Sequence, residues 1–190
     1  MSAIRTNRHS SGLLGRFIRD SRGVSAVEFA LIAPLMITFY FGLAEFCQGF
    51  MAQKRMGHSA AAVADLVAQT DVVKADELDD ILAIGGLIMK PFSTTGLTIR
   101  VSSVTRDENG VAKVDWSRAS GGATALGTNA VVTVPTDLIA NGESAVMAET
   151  TYAYSSPIKY VIADGITFQS KFYSRPRKVD KVGCSDCPAT

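Results

Sequence analysis

From Gly23 to Gln53 the chain reads GVSAVEFALIAPLMITFYFGLAEFCQGFMAQ, and only Glu28 and Glu45 in it are charged. Phe29–Ala44 holds 16 uncharged residues and Val24–Phe46 spans 23. At ~1.5 Å per residue, 23 helical residues reach about 35 Å, enough for a hydrocarbon core of about 30 Å. Inside lipid only a helix or a closed barrel satisfies its own backbone, so the pattern predicts a membrane-spanning helix. Gln48–Thr70 continues with helix formers and no proline, and Met56, Ala60, Val63 and Val67 recur at spacings of three and four. That period gives one apolar face, so a single helix is expected over residues 24–70. Gly42, Gly49 and Gly57 are its weakest points, and Gly49, Gly57, Ala60, Ala61 and Ala64 are small enough for close helix approach.

Asp76–Met89 predicts a second helix, with Leu78, Ile81, Leu82, Gly85 and Ile88 on one stripe. Asp76, Glu77, Asp79 and Asp80 crowd its start, where acids suit the positive end of the helix dipole. They lack the spacing of a calcium loop and read as a solvated face. Lys90-Pro91 closes the helix. The period then falls to two. Leu97, Ile99 and Val101 alternate with Thr98, Arg100 and Ser102, and Ala112, Val114 and Trp116 with Lys113, Asp115 and Ser117. Asp107-Glu108-Asn109-Gly110 between these runs is a hairpin turn. Further strands are expected at Ala130–Val134, Ala145–Tyr154 and Ile166–Tyr173, with residues 120–127 a flexible loop. The fold class is α+β: a long apolar helix leading into a head with a second helix and an antiparallel sheet covered on one face.

The chain has 190 residues, 47% hydrophobic and 19% charged, with a net charge of +1. That suits one globular domain with an appendage, and it excludes a disordered chain and a generally basic nucleic-acid binder. The charge is uneven. Arg5, Arg8, Arg16, Arg19 and Arg22 against Asp20 give residues 1–22 a charge of +4, leaving −3 on the rest. Arginines before the apolar run place residues 1–22 in the cytoplasm and the bulk of the chain across the membrane, the periplasm of a bacterium. A cleavable secretory signal is the competing reading, but its apolar core is shorter and ends in small residues.

Catalytic signatures are absent from the sequence: no G-x-S-x-G, S-x-x-K, P-loop, dinucleotide fingerprint or H-E-x-x-H occurs. His9 and His58 are isolated and make no metal site. Neither an enzyme nor a cofactor is expected. Cys184-Ser185-Asp186-Cys187 is a C-x-x-C near the chain end, where a disulfide is the first expectation outside the cytoplasm. Cys47 reads as a small buried hydrophobe. The run Lys171–Lys181 carries five basic residues; a solvated strand end and a contact with an anionic surface are the two readings.

One stretch is more specific. Arg22-Gly23-Val24-Ser25-Ala26-Val27-Glu28-Phe29 ends a basic leader in glycine, places a glutamate at the fifth residue after it and opens an apolar helix. This resembles the processing site of type IV prepilins. The run to Glu45-Phe46, with Pro34 six residues after Glu28, resembles more narrowly the TadE-like minor pilins, or pseudopilins, of the tight-adherence (Flp) pilus. Val111–Ser117, Val131–Pro135 and Ala148–Tyr154 resemble strands of that family.

The resemblance implies a pilin-like fold and a prepilin peptidase that cuts between Gly23 and Val24, with Arg22 and Phe29 flanking the site. It implies that Glu28 pairs with the new amine of Val24 during assembly and that Pro34 kinks the helix. The implied partners are the major Flp pilin, other minor pilins and the inner-membrane assembly platform. The implied role is pilus assembly and surface adherence. The division expected is a leader over 1–23, a spanning and stalk helix over 24–70, a periplasmic head over 71–175 and a tail over 176–190. About 120 residues beyond the helix make the chain too long for the repeated shaft subunit, whose family members are little but helix. The chain is too short for the relatives that carry a von Willebrand-type metal domain, and it has no D-x-S-x-S cluster. An uncleaved, membrane-anchored periplasmic binding module is the alternative.

Overall fold

A computed structural model describes residues 22–187. The leader arginines before Arg22, and His9, lie outside the described residues, and Arg22 is described by its backbone alone. The chain divides into two compact units after Ala44.

Helix α1, Arg22–Ala68, runs through both. In the first unit its large apolar side chains are exposed, from Val24 through Leu43. In the second it acquires a buried stripe: Glu45, Gly49, Ala52, Met56, Ser59, Ala60, Val63 and Val67. Their spacing of three and four keeps one face of a helix inward. Cys47 is off that stripe and is exposed, not buried as the sequence suggested.

Helix α2, Ala75–Ile88, packs on α1 and the sheet. The expected stripe is the one that turns inward, with Leu78, Leu82 and Gly85 buried and Ile81 half-buried. Gly85 is demanded by space: an added Cβ would sit 2.8 Å from Val63 Cγ2 and 2.9 Å from Ile99 Cδ1. Its carbonyl accepts a hydrogen bond of 2.8 Å from Ser59 Oγ. Asp79 is exposed, as the sequence suggested, and also accepts a 2.8 Å and a 2.6 Å bond from Arg118, tying α2 to the sheet.

Five antiparallel strands form that sheet: β2 (Leu97–Arg106), β3 (Ala112–Ser120), β4 (Val131–Val132), β5 (Ser144–Tyr154) and β6 (Ile166–Ser174), in the order β4-β3-β2-β5-β6. Two short strands, β1 (Val72–Val73) and β7 (Gly183–Cys184), pair in parallel apart from it. One face of the sheet carries Leu97, Ile99, Val101, Trp116, Val146, Ala148, Tyr152 and Tyr154 into a core with α1 and α2. Val104, Ala112, Val114, Ala145 and Met147 form a second core on the other face, under Val134 and Ile139.

The sequence pattern puts Ala112, Val114 and Trp116 on one face, and the structure separates them. Trp116 pairs with Ser103 and Val114 with Val104, so Asp115 is an extra residue in β3. This bulge turns Trp116 to the opposite face from Val114. The displaced Asp115 carboxylate accepts from Ser103 Oγ at 3.0 Å, Thr105 Oγ1 at 2.7 Å and Lys181 Nζ at 2.9 Å.

Lys181 belongs to the basic run, and four of the five cations there pair within the chain. Lys171 pairs with Glu149, Arg175 with Glu143, and Arg177 with Asp65. Val182 is fully buried and its carbonyl accepts 2.8 Å from Trp116 Nε1. The tail is therefore a solvated run, as one of the two readings had it, with most of its charges paired within the chain. Burial alone would raise the Glu149 carboxyl, but hydrogen bonds from Lys171 and Arg100, and their charge, hold it below the usual glutamate range. Cys184 and Cys187 are joined by a disulfide. The loop it closes turns Asp186 onto the start of α2, where it accepts a 2.8 Å bond from the Ala75 amide.

Candidate functional site

The residues singled out by sequence for processing and assembly lie along the exposed part of α1. Gly23 and Val24 are its second and third residues. Nothing in the fold requires glycine at 23, since an added Cβ would meet no atom within 4 Å. The two residues are helical, not extended. A helix start is the cheapest place to unwind, because its first amides have no intrahelical acceptor. Glu28 is exposed, four residues after Val24, so the two share one face of α1 a turn apart. Among the described residues Glu28 makes no hydrogen bond or ion pair. Val27, Phe29, Leu31 and Ile32 surround it along the helix, each more than half exposed.

Pro34 cannot donate a backbone hydrogen bond to the turn before it. The helix nevertheless continues past it as one element, and Thr38 Oγ1 donates to the Pro34 carbonyl at 2.9 Å. An 18-residue window of α1 has a mean hydropathy of 1.8, which by length and composition is sufficient to cross a membrane. With only Glu28 charged between Gly23 and Ala44, this segment presents apolar side chains to whatever surrounds it.

A second carboxylate does the opposite. Glu45 is fully buried, and both of its oxygens are saturated by the loop between β5 and β6. Oε1 accepts from Ser156 Oγ at 2.6 Å and the Tyr160 amide at 2.7 Å; Oε2 accepts from the Val161 amide at 2.7 Å and the Ile162 amide at 3.0 Å. Ser156 Oγ in turn accepts from the Ile158 and Lys159 amides at 3.2 and 3.3 Å. Lys159 adopts a positive φ of 54°, which turns consecutive N–H groups toward one anion. The sequence marks Glu45 only as a second charge in an apolar run. The available signal was its register: it heads the stripe Gly49, Ala52, Met56 that faces the core.

Residues 23–65 match the model of the TadE-like protein family. Over that stretch the chain is similar to TadE-like proteins. The match covers the apolar helix and its buried continuation, and thus takes in Gly23, Glu28, Pro34 and Glu45. No curated protein and no solved structure matches the chain. That similarity points to an association with the Tad pilus machinery and with the membrane. The single N-terminal apolar helix is compatible with anchoring there. Among the described residues no group of three His, Cys, Asp or Glu side chains is placed to hold a metal ion. His58 is exposed beside an open groove lined by Phe50, Lys54 and Phe172.

Proposed function

We propose that this chain is a TadE-like minor pilin or pseudopilin of a Tad (Flp) type IV pilus. It is held in the bacterial inner membrane with residues 1–22 in the cytoplasm and the head, residues 71–175 with the tail that follows, in the periplasm. A prepilin peptidase cuts it after Gly23. It then assembles through α1 beside the major Flp pilin and other minor pilins on the inner-membrane platform, and serves pilus assembly and surface adherence.

The observation that supports this reading is the exposed apolar face of α1 from Val24 to Leu43, interrupted by the single acid Glu28. A carboxylate in a desolvated helix bundle is tolerated only when paired. Cutting after Gly23 creates a cation on Val24, one helical turn from Glu28 of the same chain or within reach of a neighbour's. Lateral packing of such helices buries the apolar face and matches the two charges.

Gly23→Ala or a larger residue is expected to leave the fold intact, because the site is open, and to block processing. Sequencing the N-terminus of membrane-extracted protein from cells with active prepilin peptidase checks it. The variant should retain Met1 where the wild type starts at Val24. A Val24 start in the variant removes the peptidase assignment, and a wild type that retains Met1 supports the anchored binding module instead. Glu28→Gln is expected to be cut normally yet to reach sheared pili poorly, since the new amine loses its charged partner. Wild-type amounts of the variant in the sheared fraction would contradict the pairing.

A further inference from the structure

Loop 156–162 is a surface loop with an unusual division of labour. Apart from Lys159, its exposed side chains are apolar or aromatic: Ile158, Tyr160 and Val161 are 38%, 54% and 62% exposed. Its inward backbone is saturated, since every amide from Ile158 to Ile162 donates to Glu45 or to Ser156 Oγ. A loop in water has no need of this, because solvent satisfies its amides and penalises its exposed apolar groups. A loop that dips toward the acyl chains gains from both, because hydrocarbon welcomes apolar side chains and supplies no acceptors to amides. The carboxylate that gathers these amides is Glu45, the first charged residue after the uncharged run Phe29–Ala44. Tyrosine and lysine, present here as Tyr160 and Lys159, are side chains that the headgroup region favours. On α1, Phe46 and Phe50 stack with ring centroids 6.5 Å apart, and the Lys54 ammonium lies 5.3 Å from the Phe50 ring centre.

We infer that loop 156–162 is a membrane-interface anchor: Glu45 pins it at the level where α1 leaves the bilayer, and Ile158, Tyr160 and Val161 enter the boundary between lipid headgroups and acyl chains. The lipid is recognised as an interface by amphipathic side chains, without a specific headgroup site. The anchor gives the periplasmic head a second attachment to the bilayer for as long as the protein resides there. This rests on the reading of α1 as membrane-spanning, and the test separates the two.

Full-length protein is reconstituted into phosphatidylcholine vesicles containing lipid brominated on its acyl chains, which quenches nearby indoles. Trp116, the single native tryptophan, is buried in the head and supplies the background. Three variants each add one indole: Leu35→Trp within the apolar run, Val161→Trp in the loop and Val179→Trp in the tail. Leu35→Trp and Val161→Trp should each lose about half or more of their added emission, the loss expected of an indole at or below the headgroup region. Val179→Trp should lose none beyond the background. Quenching of Leu35→Trp without Val161→Trp overturns the loop anchor and leaves the loop to face protein, while α1 still spans. Absence of quenching at Leu35→Trp removes the spanning reading and the anchor together. Glu45→Gln in the Val161→Trp background should reduce the loop quenching. Unchanged quenching there would show that Glu45 does not position the loop, and would overturn its part in the anchor.

Discussion

Glu45→Ala is expected to release the β5–β6 loop from α1 while leaving the rest of the head folded. The carboxylate is the common acceptor for Ser156 Oγ and three consecutive amides. Bonds to an ionised group are about twice as strong as neutral ones, and a donor stripped of its acceptor must find water or pay its full desolvation. Amide hydrogen exchange at Tyr160, Val161 and Ile162 should therefore accelerate about ten- to a hundredfold each. The amides of β2 and β5, which sit in the middle of the sheet, should exchange as before. Glu45→Gln separates charge from shape. Its carbonyl oxygen still accepts, but its NH2 faces amide donors, so an intermediate acceleration is expected. Uniform acceleration across the sheet would show that Glu45 holds the whole head and not the loop.

Two acids on one helix thus have opposite settings. Glu28 is exposed without a partner among the described residues, and Glu45 is buried with four donors. On the proposed role the first leaves a charge for assembly to satisfy, whereas the second consumes its charge inside the head. Substituting them should accordingly separate incorporation into pili from the local stability of the head.

How far the sequence reached depended on whether a feature was periodic. The stripe Met56, Ala60, Val63, Val67 and the stripe Leu78, Ile81, Leu82, Gly85, Ile88 were legible because helical burial repeats at three and four residues; all are buried except Ile81 and Ile88, which are half-buried. Strand β5 was legible for the same reason at period two. Trp116 was misplaced because one bulged residue, Asp115, resets that period, and nothing in the run AKVDWS announces a bulge. Cys47 was misjudged because residue type alone was used where register decides. The basic tail looked like a charge run, but its partners Asp65, Asp115 and Glu143 lie far away in sequence, so only the fold brings them together. Asp186 at the start of α2 was hidden by the same distance of 111 residues. Gly23 and Glu28 were singled out by a local motif, which needs no fold to be read, whereas the Glu45 cradle is built by a loop more than 110 residues downstream.

Arg106 is the last residue whose role no pattern announces. Arginine is rarely buried, and at the end of β2 it would be taken for a solvated cap. It is instead 6% exposed, and its guanidinium donates to four carbonyls: Ile139 at 3.0 Å, Gly110 at 2.7 Å, Val134 at 2.9 Å and Pro135 at 3.2 Å. These oxygens belong to the β2–β3 turn and to the segment that covers the second core, beside Val134 and Ile139 themselves. One planar fork therefore holds a lid over that core. Arg106→Ala should destabilise the head by about 3–5 kcal/mol, since it orphans buried carbonyls and loosens Val134 and Ile139 together. Arg106→Lys should recover less than half of the loss, because an ammonium has three donors and no fixed fork. Arg177→Ala provides the contrast. Its ion pair with Asp65 is largely exposed, at 60% and 37%, and its removal should cost at most about 1 kcal/mol. Urea unfolding of the full chain in detergent, followed by the fluorescence of Trp116, measures all three. Equal losses for Arg106→Ala and Arg177→Ala would mean that the carbonyl cage contributes no more than a surface charge pair, and the lid would then have to be held by apolar contact alone.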